Sequence, residues 1–198
     1  MIFVGIDYSL SSPAVCVFSD TAGEFCFDAC DFLVISDKKI PCATRNIGIY
    51  PHKPWSNPNE RYHNIADFLL NMIYFEYGDN QVLIEDYSFG SKGKVFHIAE
   101  NTAVLQYNLW LKHIPYNKIP PTSLKKWATG KGNATKEMMY DAFVKQTGVD
   151  IFKTLGLKKS NTNKIDSPVS DIVDAYWLCR YAYINKDVCY HSTSSQPV

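Results

Sequence analysis

The sequence predicts an α/β domain built on a mixed five-stranded sheet, three antiparallel strands and then two parallel ones, with helices on its flanks. Three observations carry this. An unbroken apolar run, Ile2-Phe3-Val4-Gly5-Ile6, ends in Asp7, and a second, Val82-Leu83-Ile84, ends in Glu85; short apolar runs bounded by polar residues suit strands covered on both faces. Three apolar runs follow one another at the N-terminus with short links, as in an antiparallel meander. The later runs are separated by long segments whose apolar residues recur three and four apart, the helical period. A chain of 198 residues, 46% hydrophobic and 20% charged, has the length and composition of one globular domain. We expect that domain to occupy residues 1–190 and a polar, frayed tail to follow over 191–198.

In chain order, the strand ending at Asp7 leads through the turn residues Ser9 to Pro13 into a second strand, Ala14 to Phe18, and a third lies within Glu24 to Ile35. Residues 36–59 hold Pro41, Pro51, Pro54 and Pro58 and show no period, which reads as an irregular loop. From Asn59 to Tyr77 the residues Tyr62, Ile65, Ala66, Leu69, Met72 and Ile73 form one apolar helix face, and Gly78 stops the helix. The fourth strand is Gln81 to Glu85. The glycine-containing loop after it carries Tyr87, Phe89, Lys92 and Lys94, a composition able to stack on and grip a nucleic acid, with burial of the two aromatics in the core as the alternative. Val95 to Lys112 is a helix with Ile98, Thr102, Leu105 and Leu109 on one face, and Ile114 to Ile119 is the fifth strand, ended by Pro120-Pro121. Thr122 is placed to cap a short helical turn through Trp127. A glycine-rich loop, Thr129 to Asn133, leads into a helix from Ala134 to Gln146 that Gly148 closes, and Lys153 to Lys164 reads as a basic loop. Ser167 as cap and Pro168 as first helical residue open a last helix that runs to about Asn185.

Several classes are excluded. The apolar N-terminus has no basic flank and is interrupted by Asp7, unlike a signal peptide. No stretch reaches the roughly 18 apolar residues of a membrane span. The cysteines Cys16, Cys26, Cys30, Cys42, Cys179 and Cys189 form no CxxC pair and read as buried, reduced thiols of a cytoplasmic protein. The net charge of zero conceals a segregation: residues 101–165 hold eleven lysines against Glu137, Asp141 and Asp150, and no acid lies between Glu100 and Glu137. Such a sector suits one polyanion-binding face, or else a solvated lysine-rich surface.

The chemistry rests on four acids. Asp171 and Asp174 are three apart on the last helix, hence on one face, with Asp171 in the first turn where the macrodipole favours negative charge. If that helix packs across the sheet, the pair meets Asp7 and Glu85 at the strand ends. Four carboxylates at close range repel and take up protons unless divalent cations neutralise them. Oxygen-only ligands select hard cations, Mg²⁺ or Mn²⁺, and a pair of such ions suits phosphodiester hydrolysis by clamping the attacking and leaving oxygens. Lys136 and Lys125, both in the acid-free stretch, are candidates to offset transition-state charge.

The element order and these residues resemble the ribonuclease H-like superfamily, and more narrowly RuvC-type Holliday-junction resolvases, including the compact forms found in phages. The matching pieces are Gly5-Ile6-Asp7, Ile84-Glu85, Leu124-Lys125-Lys126 with Gly130-Lys131-Gly132-Asn133-Ala134-Thr135-Lys136-Glu137, and Asp171-Ile172-Val173-Asp174-Ala175. The resemblance implies a Mg²⁺-dependent endonuclease with two ions at Asp7, Glu85, Asp171 and Asp174, and it makes Lys136 catalytic. It also implies branched DNA held by Lys125, Lys126, Lys131, Lys136, Tyr87, Phe89, Lys92 and Lys94, a homodimer, and a cytoplasmic location. Two features depart from the family pattern. Asp7 is followed by Tyr8-Ser9 without the usual glycine, and residues 36–59 exceed what a minimal resolvase needs. Competing readings are a nuclease of the same fold acting on RNA–DNA hybrids or flaps, a binding module that has lost catalysis, and a sugar-kinase or actin-like ATPase. The last is suggested by Gly5 to Ser11, but that superfamily needs two related domains and a second phosphate motif.

Overall fold

The computed structural model describes residues 1–41, 44–73, 80–86, 95–159 and 164–186. The opening apolar run forms β1 (Ile2–Asp7), which lies inside the sheet and is shielded on both faces, with Phe3, Val4 and Ile6 fully buried. It pairs antiparallel with β2 (Ala14–Ser19), and β2 pairs antiparallel with β3 (Cys30–Ile35), the expected meander. On its other side β1 pairs in parallel with β5 (Asn80–Glu85), and β5 in turn with β6 (Tyr116–Ile119).

Among the described residues the sheet has six strands, not five. The additional one, β4 (Ile47–Tyr50), lies inside the segment read as an irregular loop and pairs in parallel with β3 at the sheet edge, giving the order β4-β3-β2-β1-β5-β6. Four residues are too few to show a period, and the flanking prolines mark the segment as non-regular. Tertiary bonds hold it instead: the Asn46 side-chain amide donates to the carbonyls of Phe27 and Cys30, and Ser36 N donates to the Tyr50 carbonyl.

Alternation along the strands divides the core into two layers. Val4, Ile6, Val82 and Ile84 face α1 (Pro58–Met72) and α2 (Val95–Leu111). Phe3 and Leu83 face the opposite layer, formed by α3 (Pro121–Thr129), α4 (Lys136–Thr147), α5 (Ile151–Thr154) and α6 (Val169–Ile184). By the same alternation Asp7 and Glu85 belong to the α6 face. Gly5 sets how close α6 comes: a Cβ there would lie 2.2 Å from the Cys179 amide nitrogen and 2.5 Å from the Ala175 carbonyl oxygen. The helix therefore rests on the bare strand backbone, and Tyr176, Leu178 and Cys179 are buried against the sheet.

Helix ends follow local chemistry in most cases. Asn57 caps α1 by accepting from Glu60 N, and the Glu60 carboxylate accepts in turn from Ser56 N. Thr135 caps α4, while Gly130 and Gly148 close α3 and α4 in the left-handed conformation that glycine adopts without penalty. Other expectations are corrected. Thr122 does not cap α3; the cap position is Pro120 and no side chain serves it. Ser167 does not cap α6, whose cap position is Pro168. The basic stretch after residue 150 opens with the short helix α5, capped by Asp150, so it is not wholly loop. Helix α1 ends at Met72, which is exposed, and Leu70 is buried on its apolar face together with Ile65, Ala66 and Leu69. Cys16, Cys30 and Cys179 are buried free thiols as expected, but Cys26 is exposed. Cys42, Cys189, Gly78 and the 191–198 tail lie outside the described residues. No helix among the described residues is long and apolar enough to cross a membrane.

Candidate active site

Parallel pairing of β1 and β5 brings Ile6 opposite Ile84, so the next residue of each strand, Asp7 and Glu85, sits at the same end of the sheet. Helix α6 starts over that end. Its first turn supplies Asp171, only 5% exposed, and its second supplies the half-buried Asp174. The contact at Gly5 fixes the helix laterally, which is why a three-residue spacing on α6 lands both carboxylates beside the strand-end acids.

The acids sense one another. Burial pushes the Asp7 carboxyl well above the ordinary carboxylate range, with Glu85, Asp174 and Asp171 adding to the rise and Lys136 opposing it. Burial likewise raises Asp174 to about 8, helped by Glu85 and opposed by Lys136. Glu85 is raised to about 7 by burial, against the pull of Lys125 and Lys136. Proton uptake by crowded, poorly solvated carboxylates is the physical signature of an anionic pocket awaiting a counter-charge.

Of the six lysines expected at the site, four lie among the described residues, and two of these act on the acids. Lys136, first residue of α4, places Nζ 3.0 Å from Ser170 Oγ, and that hydroxyl donates to Asp171 Oδ1 at 3.0 Å. Lys125 on α3 acts electrostatically on Glu85 and Asp174. Lys126 and Lys131 are exposed, on α3 and just after it. Tyr87, Phe89, Lys92 and Lys94 lie outside the described residues. Beyond β5, Lys118 pairs with Asp86 at 3.3 Å.

Sequence reasoning did not find Ser170. A serine in the first turn of a helix carries no signal of its own; only the fold brings Lys136, thirty-four positions earlier, onto its hydroxyl. It also missed Lys38, whose ammonium donates to the Ser167 carbonyl just before α6.

The donor set fits a hard divalent cation: all four groups are carboxylates, and the buried Asp171 Oδ2 has no hydrogen-bond partner. No group of three or more His, Cys, Asp or Glu side chains among the described residues is already arranged around a cation position.

The architecture is an α/β domain of ribonuclease H-like fold with Asp7 and Glu85 at the end of the two central parallel strands. No protein-family model and no curated protein matches the chain. Among solved structures it is similar to Thermus thermophilus RuvC, at 15% identity and a TM-score of 0.55 over 95% of this chain and 96% of that one. The same T. thermophilus protein in complex with a Holliday junction substrate matches with a TM-score of 0.58, again at 15% identity and 95% and 96% coverage. The yeast mitochondrial Holliday junction resolvase Ydc2 matches with a TM-score of 0.50 and 12% identity over 96% of this chain and 83% of that one. The fold is thus that of the RuvC-type resolvases across nearly the whole chain.

Proposed function

We propose that this chain is a divalent-cation-dependent endonuclease that hydrolyses phosphodiesters in branched DNA, four-way junctions foremost. The observation that carries the reading is the placement of Asp7, Glu85, Asp171 and Asp174 at one end of the sheet, where burial raises the Asp7, Glu85 and Asp174 carboxyls and the neighbouring acids raise Asp7 and Asp174 further. These four residues would hold Mg²⁺ or Mn²⁺, which when bound supplies a nucleophile at neutral pH and charge neutralisation on the scissile phosphate. The chain's own part is to bind and orient. Lys136 and Lys125 bring positive charge beside the acids, where it opposes excess negative charge around a phosphate. Lys126 and Lys131 extend the basic layer outward for backbone phosphates. The solved relative bound to a Holliday junction supports the substrate class through its shared fold.

A homodimer belongs to the same reading. Helix α2 carries apolar residues on two sides: Leu105 and Leu109 are buried on one, yet Phe96 is 81% exposed, Trp110 66% and Tyr107 58% on another. Tyr107 and Trp110 stack with ring centroids 5.8 Å apart. The aromatic patch amounts to on the order of 500 Å² per copy, so two copies bury roughly 1,000 Å², the lower bound for a specific interface. A second copy of this chain would cover it and pair two sites on one junction.

The test is nicking of labelled four-way junction, linear duplex, flap and RNA–DNA hybrid in Mg²⁺, with Asp7→Asn as control. Paired symmetric nicks in the junction support the proposal. Preference for hybrid or flap retains the metal chemistry and reassigns the substrate, and tight binding without cutting reduces the protein to a binding module.

A further inference from the structure

Ser170 is the second residue of α6 and only 3% exposed. A buried hydroxyl has one proton to give and two lone pairs to offer, and leaving them unused is unfavourable. Here both capacities are engaged with charged groups. Its oxygen accepts from Lys136 Nζ, and its proton goes to Asp171 Oδ1, each at 3.0 Å. The result is a chain of ammonium, hydroxyl and carboxylate joining α4 to α6, in which each bond polarises the next. It also engages Oδ1 and leaves Oδ2 of the same carboxylate buried and without a partner.

We infer that Ser170 is a positioning residue: its hydroxyl fixes the Asp171 carboxylate with one oxygen tied back and the other open to a cation, and it tethers the Lys136 ammonium at the rim of the site. This rests on the proposed metal-dependent function and adds a residue to it. Tying down one carboxylate oxygen limits rotation about χ2 of Asp171, and a ligand that need not be reorganised binds its ion more tightly. Loss of such a supporting partner typically weakens metal affinity about 10–100-fold.

The experiment is Mn²⁺ titration of the full chain without DNA, by calorimetry, for wild type, Ser170→Ala, Ser170→Thr, Lys136→Ala and the Lys136→Ala/Ser170→Ala double variant. Unfolding midpoints are recorded in chelator to show that each is folded. Ser170→Ala is expected to weaken Mn²⁺ binding about tenfold, and Ser170→Thr, which keeps the hydroxyl, to restore most of it. In the Lys136→Ala background the further loss on removing Ser170 should be smaller than in wild type, because the relay is already broken. A Ser170→Ala variant with wild-type affinity overturns the inference, as does full additivity of the two changes. Absence of Mn²⁺ uptake by the wild-type chain is a different result: it overturns the metal-dependent function itself, and the role of Ser170 with it.

Discussion

Replacing Glu85 by glutamine should make the metal-free protein more stable at alkaline pH while destroying its activity. The ordinary glutamate value is 4.5, and in this fold burial holds Glu85 at about 7. At about 1.4 kcal/mol per pH unit, keeping this carboxylate ionised in the fold costs about 3 kcal/mol. The sign follows from linkage. The folded state holds the Glu85 proton more tightly than the unfolded chain, so the contribution of Glu85 to stability is greatest below pH 4.5. It falls as pH rises through about 7 and levels off above that. Glutamine carries no charge at any pH and removes the repulsion that Glu85 exerts on Asp7 and Asp174. Its amide is still desolvated, so the net gain at pH 8.5 should be about 1–2 kcal/mol, or roughly 2–8 °C in Tm for a chain of this size. At pH 4.5, where the acid is protonated in the fold, the gain should vanish. The assay is urea unfolding followed by tryptophan fluorescence at both pH values in chelator. Added Mg²⁺ should then stabilise wild type more than Glu85→Gln. An equal gain at both pH values, or none at pH 8.5, would refute the assignment of Glu85 to a crowded anionic pocket.

Asp7→Asn should abolish cleavage while leaving junction affinity within about threefold, because the side chain keeps its shape and loses only charge; nicking at the wild-type rate in a gel assay would remove Asp7 from the metal site. Gly5→Ala should destabilise by 3 kcal/mol or more, on the order of the largest overpacking effects, since the added Cβ meets the Cys179 amide and Ala175 carbonyl of α6; a variant with an unchanged unfolding midpoint would show that α6 does not rest on β1 as described. Lys126→Ala and Lys131→Ala should each reduce the magnitude of the salt slope of DNA binding by about 1 if each neutralises a phosphate, with cleavage chemistry unchanged; an unaltered slope in fluorescence anisotropy would place the DNA elsewhere. Trp110→Glu should lower the solution mass to that of a monomer in light scattering, whereas a wild-type chain that is already monomeric would dismiss the α2 face as a self-interface.

The sequence determined the central strands, the helices with a clear period and the four acids, because each is written in local pattern. A buried strand is an apolar run, a helix face repeats at three and four residues, and a carboxylate that ends an apolar strand stands out against its neighbours. What pattern could not carry is whatever depends on partners distant in the chain. Strand β4 exists because β3 offers it a ladder and Asn46 anchors it, not because Ile47–Tyr50 has a strand period. Lys125 and Lys136 were singled out in the sequence, but their electrostatic reach to Glu85 and Asp174 comes from the packing of α3 and α4 beside α6, since Lys126 and Lys131 share the same acid-free stretch. Ser170 acquires its role from a lysine on another helix. Even the meeting of the acids depends on Gly5, a residue whose importance lies in the absence of a side chain: only with α6 seated against the bare backbone does the spacing of Asp171 and Asp174 bring them to the strand ends. Hydrogen bonds and Coulomb interactions act over a few ångströms in space regardless of separation along the chain, and tertiary packing decides which residues come that close.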